Sequence, residues 1–139
     1  MSEMRTTASS SARADVLAAT GLVLAGTVLV AVVDPHEGGH YPTCPLLAIT
    51  GLYCPFCGGL RAAHDLTRLD VLGALDRNPL FVVALPLILW AYTRWARRAF
   101  TGRPAPLPLP SWWGWVLLAV LAVYFVLRNL PGWDWLSPA

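Results

Sequence analysis

The chain has 139 residues, of which 56% are hydrophobic and only 13% charged, and its net charge is +2. Soluble domains usually carry about 25% charged residues, so this chain cannot cover the surface of a small soluble fold with polar groups. Disordered chains, collagen-like rods and nucleic-acid-binding surfaces are excluded too, because each needs a polar, repetitive or strongly basic sequence. The composition leaves an integral membrane protein whose partners include no nucleic acid.

Three apolar segments predict three transmembrane helices, at residues 15–33, 79–96 and 112–130. The first is interpreted as a retained helix, because its apolar run exceeds the roughly 7–15 residues of a signal peptide. The second contains Pro86, which a membrane helix tolerates and which predicts a kink. The third ends near Arg128, whose side chain is expected to snorkel to the membrane interface. The predicted fold class is therefore all-α integral membrane.

The positions of arginine predict the orientation. All ten basic residues are arginine, and most flank the start of the first helix or the end of the second, whereas the loop between them carries more acidic than basic residues. The positive-inside rule therefore places the N-terminus in the cytoplasm and this loop outside. The sequence further predicts a disordered cytoplasmic leader at residues 1–14, an Arg/Pro-rich cytoplasmic linker at 97–111 and an extracytoplasmic tail at 131–139.

The outer loop, residues 34–78, holds all three cysteines of the chain, which are Cys44, Cys54 and Cys57. Pro55 can begin a short helix, because proline is tolerated in the first turn. Cys57 would then lie in that first turn, where the helix dipole favours a thiolate.

Polar residues punctuate the rest of the outer loop. Asp70 is predicted to cap a second short helix at residues 71–76. Asn78 and Pro79 end that helix and turn the chain into the second membrane helix. The two short helices are apolar enough to lie in the membrane interface or to pack over the bundle.

The cysteine motif resembles that of a known family. The pattern Cys-Pro-(x)8-Cys-Pro-x-Cys-Gly-x-x-Arg, followed by a helix, an Asp and an Asn-Pro pair, is similar to a widespread family of short bacterial membrane proteins, a domain of unknown function with a CPxCGxxR core. The resemblance covers roughly residues 41–89. The matching residues are Cys44, Pro45, Thr50, Gly51, Cys54, Pro55, Cys57, Gly58, Arg61, Ala62, His64, Asp70, Asn78 and Pro79.

Two positions depart from that pattern: Gly59, where many relatives have a larger residue, and Leu69, where Gly often precedes the Asp. The resemblance implies a multi-pass protein of the cytoplasmic (plasma) membrane of a bacterium. It implies no reaction, since the family has no established activity.

Four interpretations of the cysteines stay open. A structural disulfide forms readily outside the cytoplasm, but pairing Cys44 with Cys54 or Cys57 leaves one thiol over. Zinc could instead be held by the three thiolates and His64 as tetrahedral ligands. Thiol–disulfide exchange could use Cys54 and Cys57, with Cys44 as a third thiol. Lastly, the loop could bind a partner protein or a lipid, with the cysteines only shaping it.

Two further residues have competing interpretations. His64 lies two helical turns after Cys57, about 10 Å along a helix, so His36 or His40 is an alternative fourth ligand. Arg61 is expected to pair with the carboxylate four residues later and to contact loop carbonyls, with binding of an anionic lipid or substrate as the alternative.

The sequence thus favours a small membrane protein that acts as an accessory or interaction subunit. Its cysteine-organised loop, closed by a disulfide or by zinc, would engage the lipid bilayer, another membrane protein or a second copy of itself. The alternative is a membrane thiol–disulfide oxidoreductase that uses Cys54 and Cys57. Whether the protein is an enzyme stays open at this point.

Overall fold

The computed structural model describes residues 2–37, 39, 41–102, 110–133 and 136, with side chains from residue 11 onward. Regular structure in this part of the chain is entirely helical, which confirms the predicted all-α class. The helices are α1 (Ser2–Val32), α2 (Pro45–Thr50), α3 (Gly59–Thr67), α4 (Val71–Arg77), α5 (Pro79–Thr101) and α6 (Trp113–Arg128).

Two helical stretches are long and apolar enough to cross a membrane, by length and composition: Ser11–Val32 in α1 and Pro79–Thr101, which is α5. Only 11% of the apolar window of the first and 0% of that of the second are buried inside the protein. A core helix of a soluble protein would be mostly buried. These two helices therefore leave their apolar side chains for another phase to cover.

The predicted third transmembrane helix, at residues 112–130, is not among the candidate spans. α6 has 16 residues, which corresponds to about 24 Å at 1.5 Å per residue, less than the roughly 30 Å of a hydrocarbon core. A turn precedes α6 at Ser111 and Trp112, and the helix stops at Arg128. By length and composition, the described part of the chain thus has two candidate spans rather than three.

The ends of the long helices also differ from the predicted boundaries. α1 begins at Ser2, where the sequence predicts a disordered leader to residue 14; the alanines in this segment are strong helix formers. α5 keeps Pro86 inside it and runs to Thr101, so the start of the predicted linker is helical. Residues 103–109 of the linker and 134–135 and 137–139 of the tail lie outside the described residues.

α1 and α5 pack side by side in opposite directions. Arg13, in the first half of α1, donates a hydrogen bond through Nε to the carbonyl oxygen of Ala99 near the end of α5, at 3.4 Å. Further along, the hydroxyl groups of Thr20 and Tyr92 are hydrogen-bonded to each other. Consequently the end of α1 and the start of α5 lie together, and the short helices α3 and α4 pack against them. We call residues 33–78 with the adjoining helix ends the loop end.

Candidate metal centre

The three cysteine thiols lie together at the loop end. Cys54 Sγ is 3.1 Å from Cys57 Sγ and 3.5 Å from Cys44 Sγ, and all three sulfur atoms are within 4.8 Å of one another. All three are free thiols in the structure. Two sulfur ligands on a tetrahedral zinc ion, with bonds of about 2.3 Å, stand roughly 3.8 Å apart. The cluster can therefore hold a metal ion such as zinc after a small expansion.

A short helix and a turn bring these cysteines together. Cys44 immediately precedes α2, and Gly51, with φ 73°, ends that helix and redirects the chain. In the turn that follows, the backbone N–H of Cys57 donates to the carbonyl oxygen of Cys54 at 3.1 Å. Gly58 follows with φ 78°, a left-handed conformation that favours glycine. Gly51, before Cys54, and Gly58, after Cys57, thus allow the turns of the chain that bring the three cysteines together.

The sequence predicts that Cys57 lies in the first turn of a helix, but the structure does not place it there. Residues 55–58 form a turn and α3 begins only at Gly59. Cys57 is 7% exposed, and burial raises the pKa of its thiol to about 12. The thiol with the lowered pKa is Cys44, at about 7, chiefly through the backbone N–H of Leu47 and then through the other two thiols. The favoured thiolate is therefore at Cys44, and the expectation for Cys57 is wrong.

Asn78 fixes the turn that carries Cys57. Its Nδ2 donates to the carbonyl oxygens of Pro55 at 3.0 Å and Cys57 at 3.1 Å. Its Oδ1 accepts from the backbone N–H of Phe81 at 3.0 Å, which caps α5. Because Asn78 is only 1% exposed, one buried amide ties the cysteine turn to the start of a long helix. Pro79 then occupies the first turn of α5.

The end of α6 holds the preceding part of the motif. Arg128 donates to the carbonyl oxygens of Cys54 at 3.4 Å and Arg77 at 3.1 Å. Asn129 accepts from the backbone N–H of Tyr53 at 2.8 Å and donates to its carbonyl oxygen at 2.9 Å. Arg128 is 1% exposed, so its expected snorkelling is wrong: the guanidinium enters the loop end, where its two terminal NH2 groups donate to backbone carbonyls.

His64 is not part of the cysteine cluster, so the predicted four-ligand set is not assembled. Its side chain is buried, with Nδ1 2.7 Å from the carbonyl oxygen of Val30. Although α3 starts after Cys57, His64 turns toward the end of α1, where it forms a separate group with Asp34 and His36. His40 lies outside the described residues.

The remaining motif residues have structural contacts. Asp70 accepts a hydrogen bond from the backbone N–H of Gly73 at 2.8 Å, which confirms its predicted role as the N-cap of α4. Arg61 donates through Nε to the carbonyl oxygen of Pro35 at 3.3 Å, a loop carbonyl contact of the kind expected. Both side chains therefore help to shape the loop end.

A groove opens beside the cysteines. Its volume is about 430 Å³, and the residues that line it include Cys44, Cys57, Phe56, Glu37 and Arg61. Phe56 is 73% exposed, although it lies between two cysteines of the motif. The thiol cluster thus borders a groove that is lined by both apolar and charged residues.

Comparison with known families identifies part of the chain. Residues 44–92 match the model of a family described as "Protein of unknown function (DUF2752)". This match confirms the resemblance to an uncharacterised family, over a segment that starts at Cys44 and ends within α5. Neither the curated proteins nor the solved structures compared with the chain give a match.

Proposed function

We propose that this is a multi-pass membrane protein whose outer loop binds one zinc ion through Cys44, Cys54 and Cys57. The metal-organised loop then serves as the contact surface of an accessory subunit. One observation carries the proposal: three free thiols from distant parts of the motif have sulfur atoms within 4.8 Å of one another. Thiolates are soft ligands that favour zinc over magnesium and calcium, which prefer oxygen ligands.

The surroundings support a role for the metal in organising the loop. Three thiolates supply three of the four ligands of a tetrahedral zinc ion, which leaves one position for water or for a ligand from a partner. The groove reaches Cys44 and Cys57 and gives such a partner access. Metal binding would fasten the loop in the shape that Asn78 and Arg128 already favour, because ligands bind the folded form preferentially.

The membrane arrangement that we propose has three crossings. α6 is a shorter apolar helix that reaches the loop end through Arg128, so it would cross beside α1 and α5 with local thinning or with help from its flanking turns. Arginines lie at the end of the helix pair opposite the cysteines, where Arg13 meets Ala99. The positive-inside rule then places the cysteines outside.

The zinc proposal is tested by metal analysis of the protein purified in detergent. We expect Cys57→Ser to lose about one equivalent of zinc per chain relative to the wild type. Thr43→Ser, a substitution beside the site that removes no thiol, should keep it. Equal zinc content in the two variants, or a folded wild type that binds no zinc at its thiols, would overturn the proposal.

Labelling of intact cells tests the orientation. A membrane-impermeant thiol reagent should modify Cys44 in reduced, metal-depleted cells before the membrane is opened. Protection of Cys44 until lysis would instead put the cysteines in the cytoplasm.

The contact of Cys54 with both other thiols favours a second candidate, thiol–disulfide exchange. In that reaction Cys54 and Cys57 would form a disulfide, giving two electrons and two protons to a substrate disulfide that becomes two thiols. Alkylation trapping in cells distinguishes the candidates: a redox carrier cycles between two forms of the pair, whereas a zinc site keeps all three thiols reduced and protected.

A further inference from the structure

A second group of metal-ligand residue types lies at the end of α1, separate from the cysteines. It consists of Asp34, His36 and His64, whose ligand atoms lie within 4.8 Å of one another. His64 comes from α3 and is 2% exposed, whereas the side chains of His36 and Asp34 are 30% and 36% exposed. The group therefore joins the end of α1 to α3 and is open to solvent on one side.

The hydrogen bonds of His64 show which of its nitrogens is free to bind. Nδ1 lies 2.7 Å from the carbonyl oxygen of Val30, and because a carbonyl oxygen can only accept, Nδ1 carries the hydrogen. In the neutral ring Nε2 then has the lone pair. This nitrogen is 3.7 Å from Asp34 Oδ1, which is too far for a hydrogen bond.

His36 repeats the arrangement. Its Nδ1 is 2.9 Å from Asp34 Oδ1, and since a carboxylate accepts, that nitrogen carries the hydrogen. Its Nε2 is 3.5 Å from Oδ1 of the buried Asp65. His64 Nε2 and Asp34 Oδ1 thus stand 3.7 Å apart with no hydrogen from the neutral ring between them. Positive charge placed between these two atoms would be attracted to both.

The distance between His64 Nε2 and Asp34 Oδ1 suits a metal ion bound by both atoms. Two ligand atoms that are each about 2.1 Å from one ion stand roughly 3.0 to 4.2 Å apart as the angle between them opens from 90° to 180°. The 3.7 Å between His64 Nε2 and Asp34 Oδ1 falls in that interval. Histidines that bind metals also usually donate their other N–H to a carbonyl or carboxylate, as His64 and His36 do here.

We propose that Asp34, His36 and His64 form a second metal site, which takes a divalent ion of the zinc type through nitrogen and oxygen ligands. The site fastens the start of the outer loop to α3 and is independent of the cysteine centre. Its imidazole and carboxylate ligands distinguish it chemically from the thiolate cluster, because cobalt bound there shows no thiolate-to-metal charge-transfer absorption.

A cobalt titration of the protein purified in detergent tests the proposal. The first sample carries Cys44→Ser, Cys54→Ser and Cys57→Ser together, so that thiolate binding is removed. We expect it to bind about one Co²⁺ per chain, with visible absorption but without the charge-transfer band. Adding His36→Gln should weaken this binding at least tenfold. Adding Glu37→Gln, which removes a carboxylate from the same loop, should leave it within about twofold.

The outcomes separate the two sites. If the folded triple variant binds no cobalt, or if His36→Gln and Glu37→Gln bind equally well, the second site does not exist. If cobalt bound to the wild-type protein shows no thiolate-to-metal charge-transfer band, the result counts against the cysteine centre and leaves the second site unaffected. Should the triple variant not fold, His36→Gln in the otherwise wild-type chain must reduce the bound cobalt by about one equivalent while keeping the band.

Discussion

The long helices and the loop end are held together in different ways. Along α1 and α5 large apolar side chains face outward: Leu22 is 77% exposed and Leu87 is 65% exposed. At the loop end, by contrast, the largest fully buried side chains of the described residues are polar, and they are Arg128, His64 and Asn78. The long helices thus present apolar surfaces of a length that suits a membrane, whereas the loop end is held by specific hydrogen bonds to backbone carbonyls.

This difference indicates where substitutions will matter. An exposed residue on a long helix contributes little to internal packing, so its replacement changes stability by about 0.5 kcal/mol or less. A buried polar side chain whose removal leaves carbonyl oxygens without donors costs about 1–3 kcal/mol for each unsatisfied group. The predictions below use matched pairs to test that contrast.

The largest effect is expected for Arg128→Met, which leaves the carbonyl oxygens of Cys54 and Arg77 without this donor. We expect the free energy of unfolding to fall by about 3 kcal/mol, measured by denaturant titration in detergent micelles. The matched control is Arg97→Met, at an exposed position near the opposite end of α5, which should change stability by less than about 0.5 kcal/mol. Equal losses would remove the distinction between the two regions.

Two cysteines of the loop end are expected to differ in their rates of alkylation. In reduced, metal-free protein, iodoacetamide should modify Cys44 at least about 100-fold faster than Cys57, because the thiolate reacts and the thiol does not. The pKa of Cys44 is lowered to about 7 and that of the buried Cys57 raised to about 12. The rate at Cys44 should therefore rise with pH through about 7 and then level off, while that at Cys57 keeps rising.

Peptide mass spectrometry after timed quenching measures both rates. The same measurement in denaturant is the control, since unfolding should bring the two rates within about tenfold of each other. Comparable rates in the folded protein would mean that Cys57 is not enclosed as the structure has it.

Local patterns in the sequence were enough to predict some of these features. An unbroken apolar run identifies α1 and α5, and Asp70 before a helical segment identifies a cap, because each signal depends on neighbouring residues. The inward turn of Arg128 depends on Cys54 and Arg77, which are 74 and 51 positions away. An arginine at the end of an apolar helix looks the same in sequence whether it snorkels or is buried.

The orientation of His64 also depends on a contact with a residue that is distant in sequence. The sequence predicts His64 as a zinc ligand beside the three cysteines, although it lies two helical turns after Cys57, but the contact that decides its orientation is the carbonyl oxygen of Val30, 34 positions earlier. The separate group with Asp34 and His36 could have been suspected, since a histidine and an aspartate stand two residues apart at the end of an apolar helix. That signal is weak without the packing of α3 against α1.

A smaller effect is expected at the cap of α4. A Cβ atom on Gly73 would collide with the carboxylate of Asp70, whose Cγ would be 2.8 Å away, so Gly73→Ala should displace the cap and cost about 1–2 kcal/mol. Gly59→Ala, in the first turn of α3 and with no atom near its Cβ position, should be neutral or slightly stabilising. Thermal unfolding of the two variants in detergent compares them; equal shifts would show that the cap has no role.

The smallest effect has the opposite sign. Leu69 has φ 62°, a left-handed conformation that costs a residue with a side chain about 1–2 kcal/mol, and it is 88% exposed. Leu69→Gly removes that strain but adds roughly 0.5–1 kcal/mol of backbone entropy loss. A net stabilisation of about 0.5–1 kcal/mol should follow, visible as a higher unfolding midpoint. Leu72→Gly, equally apolar and 76% exposed but inside α4, should destabilise by about 1 kcal/mol. If both variants lose stability alike, the side chain of Leu69 is held by contacts with the membrane. Leu69 would then be stabilised in the same way as the exposed apolar residues of the long helices.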